Sequence, residues 1–289
     1  MPEIPEVEIT VRRLGRALDG AEVESALAPG MVALKTVEPR LGVVTGRSIE
    51  GVRRIGKMPV VELTDDEGDE YGKLSLLVHL MSAGRMQLFR KRASLRDRRS
   101  RLLIRLGDGR ELRLREFGTR QRAWAKLLRA GEVERDEMVA TLGPEAWPAP
   151  PLDELAALVD QPRHLHPLLR DQQVIAGVGR SWVDEILWEA RLSPFKQGSD
   201  LEPEEVERLH AALEVLGRAI EHYEDVIGDT VPDKLPMPLR VHRREGEPCP
   251  RCGAKLAAVH FAEHVTTYCP EEQTGGRVLK DRRLSRLLK

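Results

Sequence analysis

The hydrophobic pattern of this chain changes period once, at Trp147-Pro148-Ala149-Pro150-Pro151. Before that point apolar residues alternate with polar ones, as at 59–63 and 73–80. The same holds for 102–106 and 111–115, which Gly107-Asp108-Gly109 can join as a hairpin turn. A period of two lines one face of a strand, so this half is predicted to be antiparallel sheet. After the Pro-rich break, a helical period appears at about 152–160, 165–172, 180–191 and 202–226. One helix belongs to the first half: Val7, Val11, Leu14 and Leu18 share a stripe over 5–18, Pro5 suits its first turn and Asp19-Gly20 stops it. The expected class is therefore α+β with several domains, at 1–148, 149–240 and 241–289, the last holding the cysteines.

A formal net charge of −1 argues against a polyanionic partner until the charge is mapped along the chain. Residues 85–129 carry 16 Lys and Arg against 4 Asp and Glu, and 277–289 carry six basic residues against Asp281. The compensating acids lie in 131–160 and 200–229, where the helix at 203–226 is best read as a solvated face. The basic stretches point to nucleic acid. No stretch approaches the ~18 apolar residues of a membrane span, and the charged first thirty residues do not read as a signal peptide. A cytoplasmic protein with no membrane partner is expected. Cys249, Cys252 and Cys269 are too few and too clustered for a disulfide framework, which leaves a local metal site.

The chain opens Met1-Pro2-Glu3-Ile4-Pro5-Glu6. A small second residue favours removal of Met1, which would leave proline first. Its secondary amine titrates near ~8, against ~10.4 for lysine, so a useful fraction is unprotonated at neutral pH. Attack by this amine on a sugar C1′ gives an iminium that is cationic without further protonation and acidifies the C2′ hydrogen. Base loss and strand cleavage would then share one intermediate. Glu3 can act as general acid at the sugar ring oxygen, and Glu6 can hold backbone donors at the helix start. Carboxylates in such positions often merely cap helices, so the pattern alone is not specific.

The opening Met1-Pro2-Glu3-Ile4-Pro5-Glu6-Val7-Glu8 resembles that of the formamidopyrimidine-DNA glycosylase and endonuclease VIII family, the formamidopyrimidine branch in particular. The resemblance continues in order along nearly the whole chain. Gly56-Lys57 is similar to the family's hairpin lysine, which contacts DNA and assists excision. His79-Leu80 resembles its phosphate-contacting histidine segment, although Met81-Ser82 stands where Gly-Met is usual. The resemblance implies that Met81, Arg115 and Phe117 fill the gap left by an everted nucleotide, with Arg115 toward the orphaned base and Phe117 in the stack. Leu142-Gly143-Pro144-Glu145 resembles the segment that closes the first domain, and 171–179 followed by Val183-Asp184-Glu185 resembles the family's helix, two-turns, helix module. Gly177 and Gly179 would form a phosphate-binding nest, with Arg180 where asparagine is common.

Cys249-x-x-Cys252 followed by Cys269-x-x-Glu272 is similar to the family's zinc finger with its last cysteine replaced. The resemblance implies one structural zinc, held by three cysteines and Glu272, by His260 or His264 in place of Glu272, or a hairpin held by packing alone. His264 stands about where the family's DNA-binding arginine is usual. The implied fold is an N-terminal β-sandwich with flanking helices, a helical module and a zinc-finger-like hairpin, with damaged double-stranded DNA bound between the domains by one chain. The implied activity is base excision coupled to lyase chemistry, without redox or nucleotide cofactor. A DNA binder of this fold without catalysis is the alternative. For the substrate, oxidised purines such as 8-oxoguanine and formamidopyrimidines are favoured, while the short segment 228–240 keeps oxidised pyrimidines open.

Overall fold

The computed structural model describes residues 2–65, 70–94, 97–261 and 264–279. Met1 and most of the basic tail, from 280 onward, lie outside the described residues. The chain forms two compact units, 1–141 with 220–236, and 142–219 with 237–289.

The first unit opens with α1 (Ile4–Leu18), whose stripe Val7, Val11, Leu14 and Leu18 is buried as expected and which ends at Asp19-Gly20, Gly20 having a φ of 70°. Eight strands follow: β1 (Val23–Leu27), β2 (Ile49–Ile55), β3 (Met58–Leu63), β4 (Leu74–His79), β5 (Gly84–Phe89), β6 (Ser100–Leu106), β7 (Glu111–Glu116) and β8 (Trp124–Arg129). They make two four-stranded antiparallel sheets, ordered β1-β6-β7-β5 and β2-β3-β4-β8. Val61, Leu63, Leu76 and Val78 from one sheet and Met86, Leu102, Ile104, Leu112 and Leu114 from the other merge with the α1 stripe into one core. That is the sandwich which period-two alternation implies. The turn 107–109 joins β6 to β7 as expected, with Gly109 at a φ of 88°. A short helix, α2 (Glu137–Ala140), closes the segment.

The second unit holds α3 (Leu152–Val159), α4 (Leu165–Leu168), α5 (Arg180–Glu189) and α6 (Pro203–Ala212). It also holds the first turn of α7 (Val215–Val226), the hairpin of β9 (Ala257–Phe261) and β10 (His264–Tyr268), and α8 (Pro270–Thr274). No described helix is long and apolar enough to cross a membrane.

Four boundaries differ from the sequence expectation, and the first is that the helix expected over 165–172 ends at Leu168. The break falls after Thr141, ahead of the Pro-rich stretch, because the chain from Gly143 to Ala146 is hydrogen-bonded to 172–176. A Cβ on Gly143 would stand 2.5 Å from the Val174 carbonyl oxygen, so only glycine fits that approach. The helix expected over 202–226 is two helices, since Leu213 and Glu214 bond three residues back and tighten the chain into a turn. The apolar stripe runs unbroken through that turn, so periodicity does not reveal it. Residues 220–236 join the first unit, while the cysteine hairpin joins the helices in the second.

Candidate active site

Pro2 is buried, and Glu3 and Glu6 are 2% and 4% exposed. The first turn of a helix leaves backbone N–H groups without intrahelical acceptors. Here Glu6 Oε2 accepts the Glu3 N–H at 2.9 Å, the reciprocal half of a capping box. Glu6 Oε1 accepts a second hydrogen bond, 2.8 Å long, from the hydroxyl of Tyr223 on α7. Burial, reinforced by the Glu6 charge, pushes the Tyr223 hydroxyl far above its ordinary range, so it stays a donor. The Arg85 guanidinium faces Glu6, Asp233 and Tyr223, and burial lowers its pKa. Neither Tyr223 nor Arg85 was singled out from sequence: 217 residues separate Tyr223 from Glu6, and an aromatic on an apolar helix stripe reads as core.

Lys57 sits in the two-residue turn between β2 and β3, preceded by Gly56 at a φ of 55°. His79, at the end of β4, pairs with Trp124 on β8 and stacks on its ring at 5.2 Å. The Met81 N–H donates to His79 Nδ1 at 3.0 Å, which places the proton of the neutral ring on Nε2. Burial, and then the charge of Lys57, lower the His79 pKa, so the ring is a neutral donor near pH 7. Met81 adopts a left-handed φ of 49° at the head of a tight turn, which Gly84 closes under the Leu80 carbonyl. A Cβ on Gly84 would lie 2.3 Å from that oxygen. The Phe117 N–H donates to the Ala83 carbonyl, so the Met81 turn and Phe117 are adjacent.

Arg115 stands differently from expectation. Its Nη1 bonds Gln87 Oε1 and Asp233 Oδ1, each at 3.0 Å, and its guanidinium lies over Phe117 at 4.8 Å and Phe89 at 5.3 Å. Gln87 also donates to the Val231 carbonyl, at 2.9 Å, and to Asp233. The arginine expected to face an orphaned base is thus held by a carboxylate of its own chain. Arg85 and Arg115 are cross-strand partners on β5 and β7, a pairing of like charges that Glu6 and Asp233 offset.

In the second unit Gly177, at a φ of 95°, donates its N–H to Gln172 Oε1 at 3.0 Å, and Gln172 also bonds the Val178 carbonyl. That amide is therefore turned inward and is not open to a phosphate, contrary to the expected nest. Gly179 is the N-cap of α5, and the exposed Arg180 follows it. Arg180 Nη2 lies 3.1 Å from His264 Nε2, so the structure joins two residues that sequence placed separately. Beneath them α5 buries Asp184 and Glu185, each 1% exposed. Glu185 accepts the N–H groups of Arg240, Val241 and His242, and Asp184 takes His242 Nδ1 and the Thr267 N–H. Burial raises the Glu185 pKa despite those three donors. His166 Nε2 completes the group, 3.2 Å from Asp184 Oδ1.

The three cysteine sulfurs lie within 4.8 Å of one another, Cys252 and Cys269 at 3.4 Å. Zinc bonded to sulfur at ~2.3 Å requires sulfurs about 3.8 Å apart, so the thiols fit three corners of a tetrahedral site. Burial opposes ionisation of Cys249, but the backbone N–H groups of Cys252 and Arg251 and the Trp188 indole outweigh it and lower its pKa. Burial pushes the Cys269 thiol up to about 12. Glu272 does not join them. Its Oε2 is held by Arg251 at 3.0 Å and Arg191 at 3.2 Å, which corrects the expected fourth ligand. His260 pairs with Glu245, and His264 with Arg180.

Two antiparallel sheets closed by an N-terminal helix, a helical module and a thiol-bearing hairpin define a class with known members, and three family models match these parts in order. They are the formamidopyrimidine-DNA glycosylase N-terminal domain over 1–121, that family's H2TH domain over 142–230, and the zinc finger found in FPG and IleRS over 246–271. A formamidopyrimidine-DNA glycosylase of Roseiflexus sp. is 32% identical over 286 residues, covering 94% of this chain and all of the relative. A formamidopyrimidine-DNA glycosylase-like protein of Mycobacterium tuberculosis is 39% identical over 149 residues, or 51% of this chain and 94% of that protein. The structure of the Lactococcus lactis Fpg with abasic-site DNA superposes with a TM-score of 0.82 at 26% identity, covering 94% of this chain and 99% of that one. The chain belongs to the formamidopyrimidine-DNA glycosylase family.

Proposed function

We propose that this protein is a base-excision repair DNA glycosylase that removes oxidised bases from double-stranded DNA and then nicks the strand as a lyase. The observation that carries this reading is the buried Pro2, followed by Glu3 and by a Glu6 whose carboxyl is anchored from two sides. With Met1 removed, the Pro2 nitrogen attacks C1′, the base leaves with a proton, and the resulting iminium loses its C2′ proton to eliminate the 3′ phosphate, then the 5′ phosphate. Glu3 supplies the proton at the ring oxygen, and Lys57 assists beside the neutral His79. Met81 and Phe117 take the place of the everted nucleotide, joined by Arg115 once it leaves Asp233, while His79, Gly179 at the start of α5, Arg180 and His264 grip phosphates.

The first unit would carry catalysis and the second most of the grip, in one chain acting in the cytoplasm on nucleoid DNA. Zinc, held by Cys249, Cys252 and Cys269, would tie the hairpin together and take no part in the reaction. Relatives of this fold are described with Fapy-dG and carbocyclic 8-oxo-G DNA, which favours oxidised purines. The short segment 228–240 after α7 keeps oxidised pyrimidines as the second reading.

Borohydride trapping on duplexes carrying 8-oxoguanine, an oxidised pyrimidine or an abasic site tests both, with Met1 removal checked by mass. A covalent complex that disappears in Pro2→Gly is expected, and the duplex trapped fastest sets the substrate class. Binding without trapping on any duplex would leave a non-catalytic DNA binder.

A further inference from the structure

We infer that Tyr223 is a positioning residue for the N-terminal proline, acting through Glu6. The inference rests on the proposed role of Pro2 and adds a residue from the far end of the first unit. The two oxygens of Glu6 divide their work: Oε2 takes the Glu3 N–H at 2.9 Å, and Oε1 takes the Tyr223 hydroxyl at 2.8 Å. The Glu3 N–H belongs to the peptide plane that also contains the Pro2 Cα and carbonyl. The pyrrolidine ring fixes the torsion on the other side of that Cα. Once the plane is anchored, a single torsion remains between it and the reactive nitrogen. Glu6 holds the plane, and Tyr223 holds Glu6.

Covalent attack needs the nitrogen aimed at C1′ to within a fraction of an ångström, so the loss of one restraint upstream is felt in rate rather than in affinity. Tyr223 suits this task. It is 0% exposed, its hydroxyl remains protonated, and its bond to Glu6 is buried. The charged or titratable groups that face this pair include Glu3, Arg85 and His222, whose ring lies 6.1 Å from that of Tyr223, and Asp233 acts on Arg85. Arg85 supplies a field that favours the charged carboxylate, but a field has no direction comparable to that of a hydrogen bond, so the orientation of the carboxyl rests on its donors.

The test is single-turnover borohydride trapping of the full-length protein on an abasic duplex between about pH 5 and 9, comparing wild type, Tyr223→Phe, Glu6→Gln and the double variant. Tyr223→Phe is expected to slow trapping about tenfold, as loss of a hydrogen bond to a charged group would. Affinity for a duplex carrying an uncleavable tetrahydrofuran site should stay within about twofold. The double variant should be no slower than Glu6→Gln alone, which a packing role for the ring would not produce. Tyr223→Met, which also deletes the hydroxyl but packs differently, should lose the same factor. An active wild type with unchanged Tyr223→Phe and Tyr223→Met variants, or independent multiplying losses in the double variant, would overturn the inference and leave the role of Pro2 standing. A wild type that is never trapped removes both.

Discussion

Each unit buries carboxylates, and the comparison between them separates chemistry from architecture. In the first unit the bonds that Glu6 receives include one from a backbone N–H and one from a hydroxyl, and what it anchors is the start of the chain. In the second, Asp184 and Glu185 are neighbours on α5 and receive four backbone N–H groups and a His242 ring nitrogen. There the partners are chiefly the main chain at 240–242 and 267, which fastens the cysteine hairpin to the helical module. A buried carboxyl surrounded by donors is the same physical object in both places. The difference lies in what the donors belong to: a segment ending in a reactive amine, or a segment whose only task is to stay in place.

Substitutions can break this contrast. The largest expected effect is Glu3→Gln, which should lower base-excision rate by about 10²- to 10⁴-fold, measured by single-turnover product formation, while thermal stability barely moves. A matching loss of stability would mean that the first unit's carboxylates are architectural too. Glu185→Ala should do the reverse. Two buried N–H groups and a part-buried one lose their acceptor, costing about 3 kcal/mol in chemical denaturation, while trapping by the folded fraction is retained.

Glu185 also carries a signed pH dependence. Its pKa is raised in the folded state, so above the ordinary value of 4.5 the folded protein holds a proton that the unfolded chain has lost. Stability therefore falls as pH rises through that window. Glu185→Gln removes this dependence, and a stability difference between the two proteins that does not change with pH would contradict it.

The metal prediction sharpens the contrast within the second unit. Cys269→Ser should reduce bound zinc, measured by elemental analysis, from one per chain toward none. Glu272→Gln should leave it unchanged, because that carboxylate belongs to Arg251 and Arg191. Zinc loss in Glu272→Gln would return the glutamate to the ligand set. The smallest effect belongs to Asp233→Asn. Its ion pair with Arg115 is half exposed on the acidic side, so releasing the arginine should change discrimination between bases opposite an abasic site only about threefold in relative affinity.

Much of this was legible in the sequence, and the legible part has a common cause. The stripe of α1, the apolar runs of β3 and β4, the glycine turn at 107–109 and the spacing of the three cysteines are local patterns, written within about twenty residues of one another. Partner choice is not local. The helix over 202–226 breaks at Leu213 without interrupting its apolar stripe. Gln172 takes the Gly177 amide expected to face a phosphate, and Asp233 takes Arg115 across 118 residues. Two arginines, rather than a metal site, take Glu272. Tyr223 reaches Glu6 across 217 residues. By itself, then, the sequence determined the first helix, strands β3, β4, β6 and β7, the helical character after the Pro-rich break, and which residue types stand at the chain start and in the cysteine hairpin, because periodicity and spacing depend only on neighbours. Only the tertiary structure decided which donor meets which acceptor, because a buried polar group is satisfied by whatever the fold brings within about 3 Å of it.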